Sequence, residues 1–176
     1  MIMNKKVLLI IDMLRDFIEP NGALPCGETA RKTVPYLQKL TTQIRDENGL
    51  IIYLNDAHEE DDREFKMFTK HCVKGTTGAE IIEELDVQKD KDVIIEKTRY
   101  SGFYKTDLEK TLAEIAPDEV HVVGVCTSIC VMDTVSGLRD RDYKVFVHRH
   151  GVADFDQEAH TFSLTRIEKV LGAKII

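Results

Sequence analysis

Short apolar runs separated by helix-length stretches constrain this chain more than any other feature. Strand-type runs occupy residues 5–11, 50–55, 92–96, 120–125, 143–147 and 173–176. Helical spacing fills 28–47, 79–85, 107–115, the stretch from Cys130 to about Asp140, and 157–171. In the first of these, Val34, Leu37, Leu40 and Ile44 share one face. The longer runs have no polar face, which suits strands covered by helices on both sides. The expected fold is therefore α/β, a three-layer sandwich around a six-stranded, mainly parallel sheet. Right-handed crossovers put helices on both faces, and ligands bind beyond the carboxyl ends of the strands. Asp12, Asp56, Lys97 and residues 126–130 each follow their own strand, so the topology gathers them on one rim.

The bulk properties exclude several classes. A length of 176 residues suits one domain. With 43% hydrophobic and 31% charged residues the chain reads as an ordinary globular protein. A net charge of −7 without a basic stripe speaks against nucleic-acid or anionic-membrane partners. Lys5 and Lys6 precede an apolar run, but that run lasts only from Val7 to Ile11 before Asp12 interrupts it, too short for a secretory signal. No run is long enough to span a bilayer. The expected location is the cytoplasm, with Cys26, Cys72, Cys126 and Cys130 as free thiols. Cys126 and Cys130 are separated by three residues, so they do not form a C-x-x-C redox motif. No G-x-G-x-x-G follows the first strand, which disfavours a dinucleotide site.

Several residues carry both a structural and a chemical reading. Cys130 sits at a strand-to-helix turn, where helix N–H groups lower a thiol pKa and favour a nucleophile; it also suits a buried small hydrophobe. Asp12 is a candidate base or a loop-anchoring carboxylate. Lys97 is a candidate cation for both groups or a solvated lysine. Asp56, His58 and His71 could hold a divalent metal, while the acidic residues 59–62 read as a solvated face. Phe17 and Phe68 could wall a flat ring or simply pack. His121 enters the fourth strand at its far end. His148 and His150 follow the fifth strand and are expected at the surface, and His160 has no partner pattern.

Four blocks taken together resemble the isochorismatase-like cysteine hydrolases, and within them the nicotinamidases. They are LLIIDMLRDF at 8–17, DAHEEDDREFKMFTKHCVKGTTGAE at 56–80, EKTRYSGF at 96–103 and VVGVCTSICV at 122–131. The resemblance runs in order through nearly all of residues 1–176, as a single domain. It implies a Rossmann-like sheet of order 3-2-1-4-5-6 and a catalytic triad of Asp12, Lys97 and Cys130. It also implies a cis peptide bond before Cys126, with the backbone N–H groups of Cys126 and Cys130 as the oxyanion hole. Asp56, His58, Glu64 and His71 match the metal ligands, which would hold one divalent ion, zinc first and iron or manganese next. Phe17 and Phe68 match the aromatic positions that sandwich the substrate ring.

The implied activity is hydrolysis of nicotinamide to nicotinate and ammonia through a thioester. The implied partners are a small-molecule amide and further copies of the chain, as a dimer or tetramer. Cys130 argues against vinyl-ether hydrolysis, because isochorismatases proper lack that cysteine. Thr69-Lys70 stand where many nicotinamidases have Trp-Pro or Phe-Pro, Thr127-Ser128 stand where Thr-Asp is frequent, and the chain has no tryptophan. These departures bear on the substrate more than on the chemistry. The alternatives are a cysteine hydrolase of a carbamoyl or ureido compound and a non-catalytic binding protein on the same scaffold.

Overall fold

The computed structural model describes residues 5–176; the first four residues of the amino-terminal segment lie outside it. Six strands form one sheet: β1 (Lys6–Ile11), β2 (Leu50–Asp56), β3 (Val93–Lys97), β4 (Glu119–Val125), β5 (Val145–Ala153) and β6 (Lys174–Ile175). Their order is β3-β2-β1-β4-β5-β6, and every neighbouring pair is parallel. The helices are α1 (Arg15–Ile18), α2 (Glu28–Arg31), α3 (Val34–Asp46), α4 (Leu108–Ile115), α5 (Met132–Arg139) and α6 (Gln157–Lys169).

The period-two alternation of a strand splits each run between two cores. Leu8 and Ile10 of β1 pack with Leu37, Leu40 and Ile44 of α3. Val7, Leu9 and Ile11 pack with Leu108 and Leu112 of α4, Val135 and Leu138 of α5, and Ile167 of α6. The sheet is thus covered on both faces, which is why its central strands are apolar without interruption. The face expected of α3 is the one buried. No helix among the described residues is long and apolar enough to cross a membrane.

Three elements differ from the sequence expectation. The helix expected over 28–47 is broken into α2 and α3. Pro35 has no N–H for the carbonyl four residues back, and its ring would clash there, so the chain turns at 32–33 before α3 begins. The helix expected over 79–85 is absent: a single 3₁₀ turn ends at Ala79, Ile81 bridges Leu14 in antiparallel fashion, and the Ile82 N–H donates to Met13. Seven residues nucleate a helix poorly, and backbone pairing to the loop after β1 is the alternative. Strand β5 runs six residues past its expected end. Between Val122 and Gly124 the β4–β5 register shifts, so that two residues of β4 span five of β5. His148, Arg149 and His150 lie in this irregular part and disguise it as a loop. Gly124 has φ +117, and a Cβ there would sit 2.0 Å from the Ile11 carbonyl oxygen, so only glycine lets β4 lie this close to β1.

His148 is buried rather than at the surface. Its Nδ1 lies 2.8 Å from the Tyr36 hydroxyl and its Nε2 2.8 Å from His121 Nδ1. Burial, and then the neighbouring His121, push its pKa down to about 4. The neutral form therefore belongs to the fold. Its contribution is complete above the unfolded value of 6.5 and is lost as pH falls through that value toward 4. Lowering the pH from 7 to 4.5 should cost on the order of 3 kcal/mol through this group. His148→Gln should flatten that part of the slope in urea unfolding followed across the pH range; equal slopes in both proteins would refute the assignment.

Candidate active site

The carboxyl ends of β1, β2 and β3 and the turn after β4 meet at one point. Asp12 is the residue after β1, held at φ 54, a left-handed conformation uncommon for non-glycine residues. Its Oδ1 accepts the Asp56 backbone N–H at 2.8 Å, which fixes the carboxylate against the end of β2. Lys97 closes β3 and is 1% exposed. Its Nζ lies 2.8 Å from Asp12 Oδ2, 2.5 Å from Asp56 Oδ1 and 3.4 Å from Cys130 Sγ. Asp12, Lys97 and Cys130, expected from far-apart blocks, are thus brought together around one buried ammonium.

The electrostatics follow from two carboxylates sharing one cation in a buried site. Burial, and then Asp56, raise the Asp12 pKa to about 6, against the pull of Lys97. Burial works against the Lys97 ammonium, but Asp12 and Asp56 outweigh it and hold its pKa well above the ordinary value. Asp56 is lowered, because Lys97 and His58 outweigh its burial. Cys130 is raised well above the ordinary thiol value: burial dominates, and Asp12 and Asp56 cancel the help from Lys97. The lowered thiol pKa expected from the helix terminus is therefore not found. Two neighbouring carboxylates and loss of water outweigh a helix dipole.

The turn that carries Cys130 is not α-helical. The peptide bond between Val125 and Cys126 is cis, as the family resemblance implies, and Thr127–Val131 form a π-helical turn ahead of α5. The Cys126 carbonyl accepts the N–H groups of Ile129 at 3.1 Å and Val131 at 3.2 Å. In an α-helix it would accept that of Cys130, the one passed over here.

A second cluster adjoins the first. Ligand atoms of Asp56, His58, Glu64 and His71 lie within 4.8 Å of one another, and all four residues are buried. His58 Nδ1 is 3.1 Å from Asp62 Oδ2 and His71 Nδ1 is 2.6 Å from the Thr69 carbonyl oxygen. Each imidazole can donate from Nδ1 to its oxygen partner, leaving Nε2 as the lone-pair atom. His58 Nε2 is buried without a hydrogen-bond partner. Two such nitrogens and two carboxylates suit a divalent transition metal, and the residues present therefore fit one.

Phe17, Phe68, His71, Cys126 and Cys130 line one pocket at this edge of the sheet. Phe17 and Phe68 have ring centroids 5.2 and 6.3 Å from that of His71. Tyr100 and Phe155, which the sequence reading did not single out, line it too.

Asp62 is the clearest omission. Read as part of a solvated acidic face, its side chain is 7% exposed. It faces His58, accepts the Glu64 N–H at 2.9 Å and pairs with Arg99 at 2.9 Å. Burial opposes ionisation, but the Glu64 N–H, His58 and Arg99 outweigh it and bring its pKa down to about 2. Its position four residues after His58 was the available signal, masked by the acidic residues around it. Asp62 orients His58 of the cluster and caps the 3₁₀ turn that carries another member, Glu64. Asp62→Ala should weaken zinc binding about 10- to 100-fold in calorimetric titration; unchanged affinity would separate Asp62 from the metal cluster.

The chain belongs to the isochorismatase family: the Isochorismatase domain model matches residues 6–176. It is a hydrolase of that family. It is 34% identical over 180 residues to the uncharacterized isochorismatase family protein PncA of Bacillus subtilis, covering 97% of this chain and 98% of that protein. The crystal structure of nicotinamidase/pyrazinamidase PncA from the same organism superposes with a TM-score of 0.92 over 97% of this chain and 98% of that one, at 34% identity. Pyrazinamidase of Pyrococcus horikoshii, solved in complex with zinc, gives 0.91 at 31% identity over 98% of each chain. N-carbamoylsarcosine amidase from Thermoplasma acidophilum gives 0.87 at 32% identity, over 97% of this chain and 95% of that one.

Proposed function

We propose that this single-domain hydrolase is a metal-dependent cysteine amidase that converts nicotinamide to nicotinate and ammonia. One observation carries the reading: the cavity that exposes Cys130 to a flat ring also has the donors of Asp56, Glu64 and His71 in its wall. A pyridine amide can use both ends of such a site.

Asp12 takes the proton of the Cys130 thiol as Sγ attacks the amide carbon. A carboxylate whose pKa is raised to about 6 holds a proton at neutral pH far more readily than an ordinary aspartate. The C=O bond opens to an oxyanion facing the N–H groups of Cys126 and Cys130, and the π-turn supports this role by passing over the Cys130 N–H. Asp12 then protonates the leaving nitrogen, the C–N bond breaks, and ammonia departs from a thioester. Water attacks the thioester, Asp12 accepts its proton and returns it to the departing Cys130 sulfur, and the carboxylic acid is released. Lys97 stays protonated throughout and balances Asp12 in its ionised form. Asp56, His58, Glu64 and His71 would hold a divalent ion, with zinc the best fit, to supply a Lewis-acid anchor for a ring nitrogen. Phe17 and Phe68 restrict the ring to one plane.

A second reading, hydrolysis of a carbamoyl or ureido amide, is favoured by Thr69-Lys70 ahead of His71 and by the likeness to N-carbamoylsarcosine amidase. Assembly as a dimer or tetramer belongs to both readings.

Ammonia release from a panel of nicotinamide, pyrazinamide and carbamoyl compounds should be greatest with nicotinamide. It should fall to background after verified metal removal and return with zinc. Full nicotinamide turnover by metal-free protein would remove the metal from the reading, and turnover of carbamoyl compounds alone would replace the substrate. Cys130→Ala should lower turnover at least about a thousandfold while leaving the melting temperature within a few degrees. Retained turnover in that variant would overturn the mechanism.

A further inference from the structure

The π-turn from Cys126 to Val131 is gripped from outside by two side chains that no step of the reaction uses. Asp154 follows β5 and is fully buried. Its Oδ2 accepts the Ser128 N–H at 2.8 Å, and its Oδ1 accepts the Asp156 N–H at 3.2 Å. His160, in α6, places Nδ1 2.8 Å from the hydroxyl of Thr127, a residue that is itself fully buried. Consecutive residues of the turn are therefore tied to β5 and to α6. Both anchors are themselves held. The Thr29 hydroxyl donates to the Asp154 carbonyl at 3.1 Å. Asp156 caps α6 by accepting the N–H groups of Glu158 at 2.9 Å and Ala159 at 3.0 Å.

A π-turn is the less favoured way to start a helix. Released, it would relax to the α pattern, in which the Cys130 N–H donates to the Cys126 carbonyl and is lost to any substrate. The Ser128 N–H is one of the orphan donors of a helix start. Asp154 satisfies it from outside the turn, and His160 fixes the neighbouring hydroxyl, so the two together leave the turn little freedom to rewind.

We propose that Asp154 and His160 are positioning residues that hold the nucleophile turn in its π register and so keep the Cys130 N–H free as an oxyanion donor. The inference rests on the amidase reading for its kinetic consequence, while the register itself is observable without any substrate.

The test uses Asp154→Ala, Asp154→Asn and His160→Ala with three readouts. In crystal structures of the two alanine variants, the Cys130 N–H should donate to the Cys126 carbonyl. In steady-state kinetics on the best amide of the panel, Asp154→Ala should lower kcat about 100-fold or more, the scale of one oxyanion donor, and His160→Ala about 10-fold. KM should stay within about twofold in both. Asp154→Asn keeps an oxygen acceptor for Ser128 and should recover most of kcat. The rate of Cys130 alkylation by iodoacetamide, a displacement at saturated carbon that needs no oxyanion hole, should match the parent protein. A π register retained in both alanine variants would overturn the inference, as would unchanged kcat or an alkylation rate that falls together with kcat. If Asp154→Ala does not fold, His160→Ala decides, because its side chain lies on a partly exposed helix face. If the parent protein hydrolyses no amide, the functional reading fails, and the register seen in the variant crystals still decides the inference.

Discussion

A lysine ammonium buried at the end of a strand is the constraint from which the rest of this site follows. Lys97 is 1% exposed at the end of a strand, where an unpaired charge would cost several kcal/mol. Two carboxylates from two neighbouring strand ends meet it, and one of them, Asp12, adopts a left-handed backbone conformation to do so. The parallel sheet makes this meeting possible, because β3, β2 and β1 are adjacent and deliver Lys97, Asp56 and Asp12 to the same edge. Two carboxylates on one ammonium leave an excess of negative charge in a medium that screens it poorly. That excess has to be met by protonation or by another cation, and both outcomes are written into the surroundings.

Asp56 links them. One of its oxygens faces Lys97 at 2.5 Å, and the other lies 3.5 Å from His58 Nε2, in the four-residue cluster. The Asp12–Lys97–Cys130 cluster and the cluster of Asp56, His58, Glu64 and His71 therefore share a side chain rather than merely adjoining. A change in charge on one side of Asp56 alters how strongly it competes for Lys97, and so how strongly Lys97 holds Asp12. The cluster has its own outer support in Asp62, which fixes the orientation of His58 and the turn of Glu64 at once. Arg99, just past the Lys97 strand, closes the arrangement by pairing with Asp62.

What could be read from the sequence was whatever depends on periodicity and on the order of blocks. The six strands and the convergence of Asp12, Lys97 and Cys130 were legible because each reactive residue follows an apolar run, directly or after a short turn; the sheet order was legible through the family resemblance. The break at Pro35 was legible in principle, since a proline within the first turn of one helix cannot lie in the interior of another. The extension of β5 was not, because a strand that changes register carries no clean alternation, and its histidines resemble a loop. His148 was misplaced for the same reason: its burial depends on Tyr36 and His121, partners remote in sequence. Asp62 was lost among acids that look alike in composition and differ only in what faces them. The direction of the Cys130 shift was also misjudged, because a local argument from a helix terminus does not count carboxylates arriving from other strands.

That last difference changes what kind of nucleophile Cys130 would be in the proposed reaction. A thiol held well above its ordinary pKa is no standing thiolate, and a standing thiolate would add a further negative charge beside Asp12 and Asp56. The proton has a nearby destination in Asp12, whose own affinity is raised by the same burial and the same neighbouring carboxylate. Moving the proton from sulfur to Asp12 leaves the total charge of the cluster unchanged. In the proposed reaction, the charge that would have rested on sulfur would pass to an oxygen facing the Cys126 and Cys130 N–H groups. The site is thus suited to forming its nucleophile during attack rather than before it, provided the N–H groups are already in place. For that proposed reaction the cluster of charges and the register of the turn would be complementary requirements: Lys97 and its carboxylates would decide where the proton goes, and the π-turn where the negative charge can go.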